Sequence, residues 1–328
     1  MPEPLSDNVP SSERATLTHD AAGLAIDQPL PYEGSPVGPA ALPAEAAVVA
    51  DAADAPVKKK LGVMFWISAS WVGLVIVLAI VANLLPVPNP AEVGVALPGL
   101  GPSLHHLLGT DELGRDMLSR VIFGARVSLI VGFASIAFGM LVGGSLGMIA
   151  GFFRGRFDLV ITGTASILLA FPALIFALAI VTFLGPSLSH VTLAIGILAI
   201  APLTLVVRGS TIVYAQREFV VAARMLGAKS GRIIFKEIFA NVLPAALSLG
   251  LVGIATAIVA EGGLSFLGLS VRPPTPTWGG MIAEGRVVLQ QHPMVALWPS
   301  IAMFLTVLAL NFVGDRLRSY FDVKEGGL

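Results

Sequence analysis

The chain of 328 residues contains no cysteine, which excludes disulfides, iron–sulfur clusters and thiolate zinc sites at the outset. Charge is also scarce: Asp, Glu, Lys and Arg make up 12% of the residues, against about 25% in an ordinary soluble domain. The formal net charge of -1 gives no support for nucleic-acid binding, which draws on a clustered basic surface. There is no Gly-Lys-Ser or Gly-Lys-Thr step, which removes a phosphate loop. None of the 5 histidines opens a His-Glu-x-x-His zinc helix. What is abundant is apolar: 55% of the residues are hydrophobic and the mean hydropathy is +0.85. A surplus of that size needs a bilayer, and several windows reach the roughly 20 apolar residues that cross about 30 Å of hydrocarbon.

Residues 1–57 differ from the rest, with scattered Pro, Ala and Ser, nine acidic residues and no sustained periodicity. They read as a disordered acidic tail on the cytoplasmic side. Six apolar stretches follow, at roughly 61–85, 126–152, 158–184, 190–214, 243–270 and 294–316. With both termini placed inside, the connecting segments carry about 14 Lys and Arg inside against 5 outside. The positive-inside rule then predicts an all-α integral membrane protein of six transmembrane helices with both termini cytoplasmic.

Three connections are long enough to carry function. In the first outer loop, Asp111 is expected to cap an interfacial helix with Leu113, Met117, Val121 and Ile122 on one face. Asp116 and Arg120 are expected to pair at i,i+4 on the other, with Arg115 beside them. This loop either caps the bundle or meets substrate. The inner loop at about 215–242 carries Phe219, Ala222, Ala223 and Leu226 at i, i+3, i+4 and i+7. Gly227 then suits a helix end, and Ser230 a cap for a second helix bearing Ile233, Ile234 and Ile238. A helix this short needs support, so its stripe packs either on this chain or in the groove of a soluble partner. The outer loop after the fifth stretch holds three prolines and Trp278, and is expected to run extended with the indole at the membrane interface.

Within the stretches, Gly139, Gly143, Gly147 and Gly151 repeat every four residues and allow close helix approach, inside the subunit or to another. Pro172 and Pro202 are expected to kink the third and fourth helices. Glu261 is the sharpest intramembrane feature. With the fifth helix starting near Pro244 it lies roughly 25 Å further on, and serves either a gate or pathway or a hydrogen bond inside the bundle.

Three strings together carry a resemblance: Leu108-Gly-Thr-Asp-Glu-Leu-Gly-Arg-Asp116, Glu261-Gly-Gly-Leu-Ser-Phe-Leu-Gly-Leu-Ser270 with the Pro-Pro-Thr-Pro-Thr-Trp-Gly segment after it, and Leu308-Ala-Leu-Asn-Phe-Val-Gly-Asp-Arg-Leu317. Over roughly residues 58–325 the chain resembles the C-type permease subunits of the dipeptide, oligopeptide and nickel ABC importers. The resemblance implies the type I importer permease fold over 58–328 and a multi-pass place in the bacterial cytoplasmic membrane. It implies a second homologous permease, one or two ABC ATPase subunits that carry the ATP and Mg, and an extracytoplasmic peptide-binding protein. Membrane lipid is the remaining partner, and nucleic acid is not one. The permease itself is expected to hold no cofactor or metal and to do no chemistry. The family's inner loop carries a Glu-Ala-Ala motif and then glycine, and couples to the ATPase. Here Val221-Ala222-Ala223 and Gly227 stand in its place, with valine replacing the glutamate. Dipeptides or oligopeptides are the implied substrates, with a nickel chelate or glutathione as alternatives. From another class, an ion-coupled transporter would use Glu261 as its carrier.

Overall fold

The computed structural model describes residues 61–325, so the reading of 1–57 as an acidic tail falls outside the described residues. Among the described residues the secondary structure is helical apart from one isolated bridge between Thr110 and Asp116. The helices are α1 (Gly62–Val81, prolonged by a 3-10 turn, Ala82–Leu84), α2 (Met117–Phe153), α3 (Gly155–Ala170), α4 (Ala173–Leu184), α5 (Leu188–Tyr214), α6 (Glu218–Met225), α7 (Ser230–Phe266), α8 (Trp278–Val287) and α9 (Met294–Glu325). Five are long and apolar enough to cross a membrane, or six when the bent pair α3 and α4 counts as one span. α1 is apolar on every side and leaves Trp66, Ile67, Val77 and Ile80 exposed, as a lipid-facing helix does. Its inner side is tied to α9 by Trp71 Nε1, which donates to Thr306 Oγ1 at 3.2 Å.

Four elements depart from the expectations. The helix foreseen from Asp111 does not form, because Gly114 sits at φ +68° and the Asp111 carboxylate accepts from the N–H groups of Leu113 and Arg115 in a tight turn. Helix geometry starts only at Met117, capped by Asp116, whose Oδ2 accepts from the Ser119 N–H at 2.8 Å. The third stretch is broken where a kink was foreseen: α3 and α4 meet at 88°, since proline drives the preceding Phe171 to extended backbone, φ -79° and ψ 137°. The fifth helix begins at Ser230 instead of near Pro244, which lies inside it. The independent second helix of the inner loop is therefore the first part of α7, and Ser230 makes no side-chain cap bond. α9 likewise continues past 316 to Glu325. α5, by contrast, runs unbroken through Pro202.

The glycine stripe of α2 packs inside the subunit, against α5. A Cβ on Gly143 would stand 2.5 Å from the Ile200 carbonyl oxygen, and one on Gly147 2.5 Å from that of Thr204. Only glycine lets the two backbones meet this closely, and Ser135 Oγ adds a bond to the Thr192 carbonyl at 2.8 Å. The α3 arm is fastened to α5 by an ion pair of Asp158 with Arg208, with Nη2 at 2.6 Å from Oδ2.

Candidate functional site

Functional side chains gather at two ends of the bundle. At one end the loop 86–116, the start of α2 and the short α8 are joined by charge. Asp111 Oδ2 accepts from Arg115 Nε at 2.5 Å and lies 3.4 Å from Arg120 Nε. Glu284 Oε2, on α8, accepts from Arg115 Nη2 at 3.0 Å and Arg120 Nη2 at 2.8 Å. Two guanidiniums thus bridge two carboxylates, and the fork geometry of arginine fixes three segments against one another. The expected Asp116–Arg120 pair is absent: Asp116 caps α2 and meets His106 Nδ1 at 3.0 Å, while Arg120 turns to Glu284 and Asp111. Glu284 was not foreseen, because a lone acid in an apolar helix has no sequence partner to announce it. A cavity of about 280 Å³ opens beside this cluster, lined by Arg120, Ser270, Arg272, Thr275 and Glu284 among others.

Trp278 is not at a lipid interface. Its ring is fully buried, its indole N–H donates to the Val121 carbonyl at 3.0 Å, and its backbone N–H donates to Ser128 Oγ at 3.1 Å. The start of α8 is thereby pinned to α2. Thr277 caps α8 by accepting from the Gly280 N–H at 2.8 Å.

Glu261 lies fully buried where α7 crosses α8. Its Oε1 accepts from Ser265 Oγ and Ser270 Oγ, each at 2.7 Å, while Oε2 has no partner among the described residues. The crossing is close: a Cβ on Gly279 would stand 2.5 Å from Gly262 Cα and 3.1 Å from Glu261 Oε2. The carboxylate therefore anchors the turn after α7 to the helix itself. Glu261→Gln keeps one acceptor oxygen and is expected to preserve both fold and uptake. Glu261→Leu strands two buried hydroxyls at about 1–3 kcal/mol each and is expected to lower the thermal midpoint of the purified chain. Loss of uptake in a stable Glu261→Gln chain would assign the acid to the pathway instead.

At the other end, α6 is held by one face and open on the rest. Val220 is fully buried against Ile233, Ile238 and Tyr214, and the Arg224 guanidinium stacks 5.2 Å from the centre of the Phe152 ring. Gly227 at φ +78° ends the helix, with the Ala228 N–H returning to the Ala223 carbonyl at 3.0 Å. The foreseen stripe does not pack on this chain, apart from half-buried Ala223. Val220, with half-buried Ala223, supplies the contact with the rest of the chain; Phe219, Ala222 and Leu226 look outward. Met225 is 85% exposed and Leu226 88%, with Val221 beside them. Two long apolar side chains thus stand exposed side by side at the end of a helix whose opposite face is packed. Nothing stands within 4 Å of a Cβ placed on Gly227, so the space beside the pair is open.

A bundle of long apolar helices with a charged cap at one end and an exposed short helix at the other defines a multi-pass membrane protein. Residues 143–325 match the family described as binding-protein-dependent transport system inner membrane component, and the chain belongs to that family. It is 39% identical over 258 residues to the dipeptide transport system permease protein DppC of Alkalihalophilus pseudofirmus, covering 77% of this chain and 85% of that one. To the glutathione transport system permease protein GsiD of Pectobacterium atrosepticum it is 40% identical over 224 residues, 68% and 74% of the two chains. Its fold is similar to a chain of the MetNI methionine ABC transporter in an inward-facing form, with TM-score 0.54, 16% identity, and coverage of 62% of this chain and 97% of that one.

Proposed function

We propose that this chain is the permease subunit of an ATP-driven importer of short peptides and forms half of a pathway completed by a second, homologous permease. The exposed Met225 and Leu226 on a helix clamped by Val220 and Arg224 carry this reading, because they offer a soluble partner an apolar, pre-oriented handle. That partner is one or two ABC ATPase subunits, which hold ATP and Mg, with Phe219, Ala222, Ala223 and Gly227 shaping the contact around the pair. An extracytoplasmic peptide-binding protein meets the charged cap of Asp111, Arg115, Asp116 and Glu284. Both termini then lie in the cytoplasm. Dipeptides lead as substrate on the likeness to DppC, and glutathione, itself a short peptide, follows on the likeness to GsiD.

The test is co-purification in mild detergent from the native membrane, followed by uptake. The wild-type chain should bring down a second permease and a phosphate-loop ATPase. Met225→Asp with Leu226→Asp should lose the ATPase at least tenfold while the second permease stays. Uptake of labelled dipeptide against labelled glutathione in a strain deleted for this chain assigns the substrate. A chain that is active alone in proteoliposomes without ATP would return the mechanism to an ion-coupled one.

A further inference from the structure

Between α6 and the body of α7 lies a π turn, Ile233–Ile238, in which the Phe239 N–H donates to the Ile234 carbonyl five residues back. Such turns place one extra residue in an α-helix and recur at functional positions. Core packing explains the identity of the buried residues here but not the extra one. Ile233, Ile234 and Ile238 are buried with Val220 of α6, and Val242 and Ala246 continue the same face at intervals of four. Without the additional residue, Ile233 would stand four positions before Ile238, and a plain α-helix would keep that face toward the core. The surplus is carried on the outside, where Phe235 is 73% exposed.

The backbone ladder is interrupted again on the far side of the turn. Pro244 has no N–H for the Ala240 carbonyl, and Asn241 Nδ2 donates to the Glu237 carbonyl at 2.6 Å where the register changes. Beyond this segment α7 is fixed, since a Cβ on Gly253 would stand 3.0 Å from Ile136 of α2, and one on Gly314 of α9 2.9 Å from Val252. Before it, α6 is fixed by Val220 and Arg224. The π turn and Pro244 therefore lie between the helix that ends at the exposed Met225 and Leu226 and the membrane-spanning part of α7.

We infer that the π turn Ile233–Ile238 is a hinge through which displacement of α6 reaches the membrane-spanning part of α7. The inference rests on the reading of α6 as the ATPase-docking helix. Deleting Phe235 turns the hinge into uninterrupted α-helix while the buried face is kept. The ΔPhe235 chain should accumulate, retain its ATPase on co-purification and hydrolyse ATP, yet take up peptide at least tenfold more slowly. Phe235→Ala keeps the length and should transport within twofold of wild type. Uptake by ΔPhe235 within twofold of wild type would overturn the hinge and leave docking intact. Absence of the ATPase from the wild-type preparation would instead overturn docking. Should ΔPhe235 fail to accumulate, hydrogen exchange on the wild-type complex decides. Protection over residues 233–241 should differ between the nucleotide-free and vanadate-trapped states, and identical protection would refute the hinge.

Discussion

Gly147→Leu is expected to leave almost no folded chain in the membrane, whereas Gly144→Ala, three residues away on the same helix, is expected to be neutral or slightly stabilising. At Gly147 the first carbon of any side chain would stand 2.5 Å from the Thr204 carbonyl oxygen and 3.0 Å from the Arg208 backbone nitrogen. Both are backbone atoms of α5 and cannot swing aside as a side chain does. Relief requires prising α2 from α5 along the whole stripe, because Gly143 and Gly151 meet the same helix at 2.5 and 2.7 Å. Overpacking by a methyl or two costs about 1–3 kcal/mol where neighbours can yield. Leucine at a backbone contact exceeds that, against a total stability of roughly 5–15 kcal/mol. At Gly144 the nearest atom is Met140 Sδ at 4.0 Å, so alanine fits, and its higher helix propensity contributes up to about 1 kcal/mol. Accumulation and the thermal midpoint in detergent distinguish the two. Equal behaviour would mean that the crossing of α2 and α5 is not the tight one described.

The apolar stretches were legible because hydropathy over about 20 residues depends on composition alone. The glycine stripe was legible as a close-approach face, but its partner was not, since nothing in residues 139–151 points to α5 rather than to another subunit. Trp278 shows the same limit: an indole suits a lipid interface and a buried hydrogen bond equally well, and only the Val121 carbonyl decides. That Val220 is the residue of α6 buried in this chain was not legible, for a different reason. Phe219, Val220, Val221, Ala222 and Ala223 are all apolar, so periodicity selects no unique face. The π turn leaves no trace in residue spacing, because Ile233, Ile234 and Ile238 are compatible with more than one helical register. Asp111 and Asp116 were both singled out, yet their partners were exchanged. The left-handed turn at Gly114 moves the helix start by several residues, and with it every i,i+4 relation foreseen from Asp111.

Arg120 carries the most consequential charge in the cap, and Arg120→Met is expected to lower stability by roughly 3 kcal/mol, near the lower end for breaking a buried pair. Its guanidinium is 2% exposed and shared between Glu284 and Asp111, with a further contact from Nη1 to the Pro90 carbonyl at 3.4 Å. Removing it leaves Arg115 as the one guanidinium for both carboxylates. Glu284 is 37% exposed, so water takes over part of its solvation, whereas Asp111 at 4% has no such recourse. For a chain of this size each 1 kcal/mol moves the midpoint by about 2–4 °C, so a fall of about 6–12 °C is expected. Glu284→Gln in the Arg120→Met background should recover part of the fall, because Arg115 is then left to Asp111 alone, and the coupling between the two sites should lie within about 0.5–3 kcal/mol. Additive effects of the two substitutions would show that Arg120 acts through packing rather than charge. Uptake per folded molecule then separates two uses of the cap. If it is unchanged at a temperature where Arg120→Met is still folded, the ion pairs only hold the loop 86–116 to α8. If it falls while the second permease and the ATPase still co-purify, the geometry of the cap is what an extracytoplasmic partner reads.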